Sequence, residues 1–317
     1  MSLLITGGLG FLGANLCYEF LRENKTKVIA YDVLYRMPKF LKEFEGDERF
    51  IFVKGDITDA WNLMETVKKY DVTEIIHVAT LMEDKASLQR PYQFLTPNIF
   101  GGLNVLEVAR VLSLRRLIII SSRAAYGSYS PSDGPLREDF PLKPFAFYGA
   151  SKASLDLILP LYRTHYNTDA VSIRTTGIFG PGQGEEGMGH VGITTLIYNI
   201  LSSVLKGKPF YLDSGGDHFL EFCYVKDLVR GIKTIFEVES VRHPIYNISF
   251  GKQYRLSELG NMIRELLPQS NIHIGPGHLQ GIELRAALDI RRAQEEFGYQ
   301  PSPLKESIKD FMNYLTS

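Results

Sequence analysis

Tyr148 and Lys152 stand four residues apart in the stretch FYGASKASLDL, so on a helix both project from one face. A tyrosine ordinarily titrates near pH 10 and is a poor base at neutral pH, with a pKa of about 10. An ammonium one turn away favours the phenolate and is expected to lower that value. Such a tyrosinate takes a proton from a hydroxyl while hydride leaves the same carbon. Upstream, IIISSRAAYG puts Ser121 and Ser122 just past an apolar run, where a serine hydroxyl can hydrogen-bond the reacting oxygen. A tyrosine four before a lysine also occurs as ordinary helix packing, so the surrounding elements have to decide.

Strand-like segments fall at 2–6, 27–32, 50–54, 73–78, 115–121 and 169–174, with helical patterns at 11–23, 59–69, 92–112 and 147–166. Short β-branched runs alternating with helices predict an α/β fold, a doubly wound parallel sheet of the Rossmann type. Between the first strand and helix lies TGGLGFLG, with Gly7, Gly10 and Gly13 spaced for a tight turn, a close backbone approach to a pyrophosphate, and helix–strand packing. The second strand, KVIAYD, ends in Asp32, whose carboxylate can accept from ribose hydroxyls and repel a 2′-phosphate, favouring NAD over NADP. Arg36 softens that preference. Tyr148 and Lys152 follow the fifth strand of this sheet, which turns a common pair into a candidate catalytic one.

After residue 175 the pattern loosens. FGPGQGEEGMGHVG reads as a loop leading into a helix at 190–206, and 220–239 reads as a further strand and helix returning to the sheet. The tail, 251–317, holds short helices. The expected organisation is an NAD-binding domain of 1–175 plus about 218–250, with a smaller interleaved substrate lobe of about 176–217 plus 251–317.

These motifs together resemble the extended short-chain dehydrogenases/reductases of the NAD-dependent epimerase/dehydratase family. The resemblance rests on TGGLGFLG at 6–13, Asp32, GDI at 55–57, HVA at 77–79, Asn98, SSRAAYG at 121–127, YGASK at 148–152, RTTGIFGPG at 174–182, YVKDL at 224–228 and the closing LDIRRA and FGYQP. It implies NAD as cofactor, with Phe11 and Leu12 at the glycine turn, Asp56 and Ile57 at the adenine, and Ala79 and Asn98 along the channel. It implies Ser122, Tyr148 and Lys152 as a catalytic triad, with Lys152 also on the nicotinamide ribose. Substrate contacts would come from Arg123, Arg174, Thr176, Gly177 and Arg285. Members commonly form homodimers through the helices that correspond here to 98–112 and 147–166.

The departures matter as much. Sugar-nucleotide dehydratases of the family carry an Asp-Glu pair after the catalytic hydroxyl residue; here those positions are Arg123 and Ala124, so dehydration is not expected. Nucleotide-sugar members have an asparagine where this chain has Gly177, and an arginine near Leu220 and Glu221 that pairs with the diphosphate. Losing a guanidinium there removes a bidentate anion clamp. The expected activity is an NAD-dependent sugar epimerase, with nucleotide sugars the implied substrates. The alternative is a dehydrogenase of a smaller sugar, sugar acid or polyol that releases NADH. A non-catalytic NAD-binding regulator is a third reading, opposed by the survival of Ser122, Tyr148 and Lys152 together.

The bulk numbers exclude other classes. With 35 basic against 36 acidic residues, the net charge of −1 gives no electrostatic draw towards nucleic acid or anionic membrane. No apolar run reaches a membrane span, and a first strand at Ser2 leaves no room for a signal peptide, so the expectation is a cytoplasmic protein. Cys17 and Cys223 make neither a disulfide framework nor a metal site. His77 is expected as a packed strand-end residue, while His190, His218, His273 and His278 lack ligand spacing. Glu185 and Glu186 are expected as solvated loop carboxylates.

Overall fold

The computed structural model describes residues 1–23, 26–82, 88–185 and 192–317. Glu186, His190 and the start of the expected 190–206 helix lie outside them. Six strands form where the β-branched runs predict: β1 (Ser2–Thr6), β2 (Lys27–Asp32), β3 (Phe50–Lys54), β4 (Glu74–His77), β5 (Arg116–Ile120) and β6 (Ala170–Arg174). The later strands are short: β7 (Ile178–Phe179), β8 (Phe210–Leu212), β9 (Phe219–Leu220), β10 (Cys223–Tyr224), β11 (Ile245–Asn247), β12 (Tyr254–Arg255) and β13 (Ile272–Ile274).

Seven strands build one sheet in the order β11-β6-β5-β4-β1-β2-β3, every pair parallel. Burial on both faces explains the near-continuous apolar strands: the interiors of β1, β2, β4 and β5 are fully enclosed. One face packs against the helices Phe11–Arg22 and Val225–Glu237, the other against Gly102–Val111 and Phe147–Tyr166. The chain lays β2 and β3 to one side of β1 and then crosses to β4 on the other. That reversal leaves a crevice above the carboxyl ends of β1 and β4, where open α/β sheets take ligands.

Three expectations need correction. The 220–239 segment does not return its strand to the sheet: β10 pairs with β7 in a separate two-stranded ribbon, and β11 is the strand that adds beside β6. The helix expected at 92–112 is broken into Pro91–Leu95, a π-helical turn at Thr96–Gly101 and the helix Gly102–Val111. The helix expected at 190–206 is described as a 3₁₀ turn, Gly192–Thr195, running into Leu196–Val204. That helix packs with Leu256–Leu266 and Leu304–Thr316 around Phe179, Phe222, Phe311 and their neighbours, a core separate from the sheet's. No described helix is long and apolar enough to cross a membrane.

Candidate active site

The glycine turn is built by close packing. Gly7 has φ +64°, and a Cβ there would lie 2.9 Å from the backbone of Ala79, the residue that closes the crevice on the β4 side. A Cβ on Gly13 would stand 2.0 Å from the Gly7 carbonyl oxygen, so only a glycine lets the helix sit this close to the turn. The helix Phe11–Arg22 opens at Gly10 without a side-chain cap, leaving its positive end to the crevice. Asp32 ends β2 beside this turn and is held there: its Oδ2 accepts from the Leu9 N–H at 3.1 Å and its Oδ1 from the Leu34 N–H at 3.3 Å. Asp56 accepts from the Thr58 N–H and hydroxyl, both at 2.8 Å. A close backbone approach, an uncapped helix start and a strand-end carboxylate are the demands of a dinucleotide, and all three are met.

The crevice continues into a cleft of about 1240 Å³, reaching from Gly7 and Asp32 past Ser122, Tyr148 and Lys152 to Phe219, Gln253 and Arg285. A single small-ligand pocket typically spans about 300–1,000 Å³, so the space exceeds what one such ligand fills. Ser122 leaves the end of β5 as the N-cap of a short 3₁₀ turn, Arg123–Ala125, and its Oγ accepts from the Ala124 N–H at 3.1 Å. Tyr148 and Lys152 ride the first turns of the helix Phe147–Tyr166, which has no side-chain cap. Ser122 is a hydrogen-bond partner of the Tyr148 phenol, and the Lys152 ammonium lies 5.7 Å from the Tyr148 ring centre. Lys152 itself is buried and donates to the Ile120 carbonyl at 2.9 Å, which fixes Nζ beside the strand end.

Burial dominates the electrostatics here. It pushes the Tyr148 phenol up to about 12, against the pull of the Ser122 hydrogen bond, so the lowered phenol expected from sequence is not delivered by the chain alone. It pushes Lys152 down to about 8, opposed by the charge of Asp156. Lys152 therefore stays cationic at neutral pH with little to spare. His77 is packed as expected: its Nδ1 is 2.7 Å from the Thr6 hydroxyl, and burial with the Lys152 charge holds it down at about 3, hence neutral.

The chain matches the model of the NAD dependent epimerase/dehydratase family over residues 3–249. It belongs to that family. It is 28% identical to a putative UDP-glucose 4-epimerase of Methanocaldococcus jannaschii over 99% of this chain and 98% of the relative. It is 26% identical to the UDP-glucuronate 4-epimerase of Thermodesulfobacterium geofontis over 98% of this chain and 95% of the relative. Among solved structures, the dTDP-glucose 4,6-dehydratase of Bacillus anthracis, in complex with NAD, superimposes with a TM-score of 0.83 at 26% identity, over 100% of this chain and 96% of that one. The extended short-chain dehydrogenase/reductase fold, the enzyme class and the dependence on NAD follow from the family.

Within the family frame, most expected residues reach the cleft: Gly7, Gly10, Phe11, Leu12, Asp32, Asp56, Ile57, Ala79, Ser122, Arg123, Tyr148, Lys152, Thr176, Gly177 and Arg285 all line it. Three do not. Gly13 serves packing behind the turn. Asn98 sits buried in the π-helical turn, accepting from the Leu81 N–H at 2.7 Å and donating to the Leu81 carbonyl at 3.0 Å; it shapes the wall after β4 without lining it. Arg174 is the clearest correction. Its side chain is 2% exposed, Nε donates to Asp156 at 2.7 Å, Nη1 donates to the Glu138 carbonyl at 3.0 Å, and the guanidinium lies 4.5 Å from the Tyr126 ring centre. It points under the sheet's end, away from the cleft.

Sequence reasoning missed Asp156. One turn past Lys152, it is buried and accepts from Arg174, from the Ser121 hydroxyl at 2.9 Å and from the Ser172 hydroxyl at 2.5 Å. The signal was present: in KASLDLIL, residues 152–159, a carboxylate stands four residues after Lys152 among apolar neighbours. Glu221 was read only as a missing arginine. It is a buried cleft residue whose Oε1 accepts from the Gly251 N–H at 2.7 Å and Oε2 from the Leu288 N–H at 2.9 Å, and burial raises its pKa.

Proposed function

We propose that this chain interconverts epimers of a nucleotide sugar, with Tyr148 as the base, Ser122 and Lys152 as its partners, and the lobe of about 176–217 plus 251–317 holding the substrate. The observation that carries this is the convergence of Ser122, Tyr148 and Lys152 midway along one cleft whose near half has the features of a dinucleotide site and whose far half is still open. The names of the relatives, two of them 4-epimerases, support the substrate class.

Gly7, Gly10 and the helix start would hold the pyrophosphate of NAD, Asp32 the adenosine ribose, and Asp56 with Ile57 the adenine. When bound, NAD supplies a reversible acceptor for hydride. Once its phenol is deprotonated, Tyr148 Oη would accept the proton of the reacting sugar hydroxyl and later return it to the same oxygen, so that the proton taken in the oxidation is given back in the reduction. Ser122 steadies the reacting oxygen and the phenol by hydrogen bonding, which favours the phenolate over the value burial alone imposes. Lys152, cationic below about pH 8, adds a positive charge near the ring. Removal of water would need a proton donor and acceptor after Ser122. Arg123 stays protonated at neutral pH and the Ala124 side chain has no ionisable group, which argues against a dehydratase.

The chain is further proposed to act as a cytoplasmic homodimer. Phe100, Val111, Phe147, Leu157, Leu161 and Tyr166 are exposed on the helical segments 98–112 and 147–166, which offers an apolar seam. Cys17 and Cys223 are free and buried, which suits a reducing compartment.

The deciding experiment is to purify the protein, ask whether NAD(H) remains bound, and follow a nucleotide sugar by NMR alongside absorbance of the reduced cofactor. An equilibrating mixture of epimers without net reduction supports the epimerase. Stoichiometric accumulation of reduced cofactor would establish the dehydrogenase reading instead, which the loss of a diphosphate arginine at Leu220 and Glu221 favours.

A further inference from the structure

We propose that Arg123 recognises a carboxylate on the sugar ring, so that the substrate is a nucleoside diphosphate uronate. The inference rests on the nucleotide-sugar reading above and narrows it.

Arg123 directly follows Ser122 and lines the same cleft as Ser122 and Tyr148, yet it is only 5% exposed. Its Nε donates to the Ala286 carbonyl at 3.1 Å and Nη1 to the Gly127 carbonyl at 3.4 Å, which fixes the plane of the guanidinium. Its Nη2 is buried without a hydrogen-bond partner, and Arg123 belongs to no ion pair among the described residues. Buried charges are ordinarily paired with an anion or fully hydrogen-bonded, and this one is neither. Burial and the neighbouring Arg285 push it down only to about 10, so it remains charged at neutral pH.

The nearby carboxylate does not fill the vacancy. Glu221 attracts Arg123 through space, but both of its oxygens are committed to the N–H groups of Gly251 and Leu288. Arg285 compounds the imbalance: it lines the same cleft, its Nε lacks a partner, and its guanidinium stacks 5.3 Å from the Phe145 ring centre. Two residues whose guanidinium groups repel each other therefore line one cavity.

A nucleotide sugar with a neutral ring brings anionic charge only through its diphosphate. A hexuronate brings a second anion, because C1, which bears the phosphate, and C5, which bears the carboxylate, are both bonded to the ring oxygen. C5 also adjoins C4, the carbon whose hydroxyl would face Ser122 in a 4-epimerase. The residue next to Ser122 in sequence is thus placed for the carboxylate, leaving Arg285 for the phosphate. A planar guanidinium with a spare N–H suits a carboxylate better than an ammonium would.

The test is calorimetric titration of the NAD-loaded protein with UDP-glucuronate and UDP-glucose at fixed ionic strength. The wild type should bind UDP-glucuronate at least about tenfold more tightly, the worth of one charge-assisted hydrogen bond. Arg123→Gln should bring the two affinities within about twofold by weakening the uronate alone, with Arg123→Lys between. No wild-type preference, or equal weakening of both ligands in Arg123→Gln, would overturn the proposal. Should Arg123→Gln fail to fold, the wild-type ratio and Arg123→Lys decide. If neither nucleotide sugar binds, the nucleotide-sugar reading falls on its own; free glucuronate, bound by the wild type and weakened in Arg123→Lys and further in Arg123→Gln, would still uphold the carboxylate site, and its failure to bind would sink that too.

Discussion

Replacing Asp156 by alanine should be the most damaging single change on the sheet's helical face. Asp156 is 1% exposed and collects the Arg174 guanidinium and the hydroxyls of Ser121 and Ser172. Stripping the partner from a buried guanidinium costs about 3–5 kcal/mol, and each orphaned hydroxyl adds roughly 1. Arg174 keeps its bond to the Glu138 carbonyl, so the sum is not fully additive; a loss of about 4–6 kcal/mol is expected. Against a whole-domain stability of about 5–15 kcal/mol, that leaves a protein close to unfolding. Urea denaturation followed by circular dichroism, at pH 7 with and without saturating NAD, measures it. Replacing the pair together, Asp156→Leu with Arg174→Met, should restore most of the loss, because an apolar pair of similar volume avoids the cost of burying two charges. A loss below about 1 kcal/mol in Asp156→Ala, with substrate KM raised instead, would refute the buried-pair argument and return Arg174 to the cleft.

Other expectations follow from the same geometry. Tyr148→Phe should abolish turnover while leaving NAD affinity largely intact, because it removes the proton-carrying oxygen and little packing; near-normal turnover would show that another group is the base. Asp32→Ala should weaken NAD binding and narrow the discrimination against NADP, read as the ratio of the two dissociation constants; an unchanged ratio would take Asp32 off the ribose. In ¹⁵N-lysine NMR, Lys152 should titrate near 8, and Asp156→Asn should move it lower still, since the lost negative charge was favouring the ammonium; an upward shift would contradict the sign. Gly13→Ala should cost both stability and NAD binding, because its Cβ would stand 2.0 Å from the Gly7 oxygen and force the helix off the turn. A melting curve and cofactor affinity matching the wild type would show that the turn yields.

The sheet and the cofactor half of the cleft were legible because their signals are local. Gly7, Gly10 and Asp32 act through the backbone turn or strand end on which they sit, and β1 to β6 are apolar runs long enough to read. The failures arise where tertiary direction decides. Arg174 ends β6 at the cleft's edge, as sequence places it, but strand alternation turns its side chain towards Asp156 and Tyr126. β11 was lost because only Ile245–Asn247 pair, too few residues to form a pattern, whereas the longer apolar run around Cys223 looks like a sheet strand and pairs off-sheet with β7. The π-helical turn at Thr96–Gly101 inserts a register change into an otherwise helical pattern, and that change turns Asn98 towards Leu81. The unpartnered Arg123 Nη2 could not be seen in sequence at all, since sequence does not show that the Glu221 carboxylate accepts from the N–H groups of Gly251 and Leu288.

Asn15, one turn into the helix that opens at Gly10, donates from its side-chain amide to the Phe11 carbonyl and to the Pro181 carbonyl, both at 2.9 Å. Pro181 lies in the loop that follows β7. The helix at the glycine turn and the loop after β7 are therefore tied by a buried amide, and pulling them apart surrenders a hydrogen bond worth about 1 kcal/mol or more.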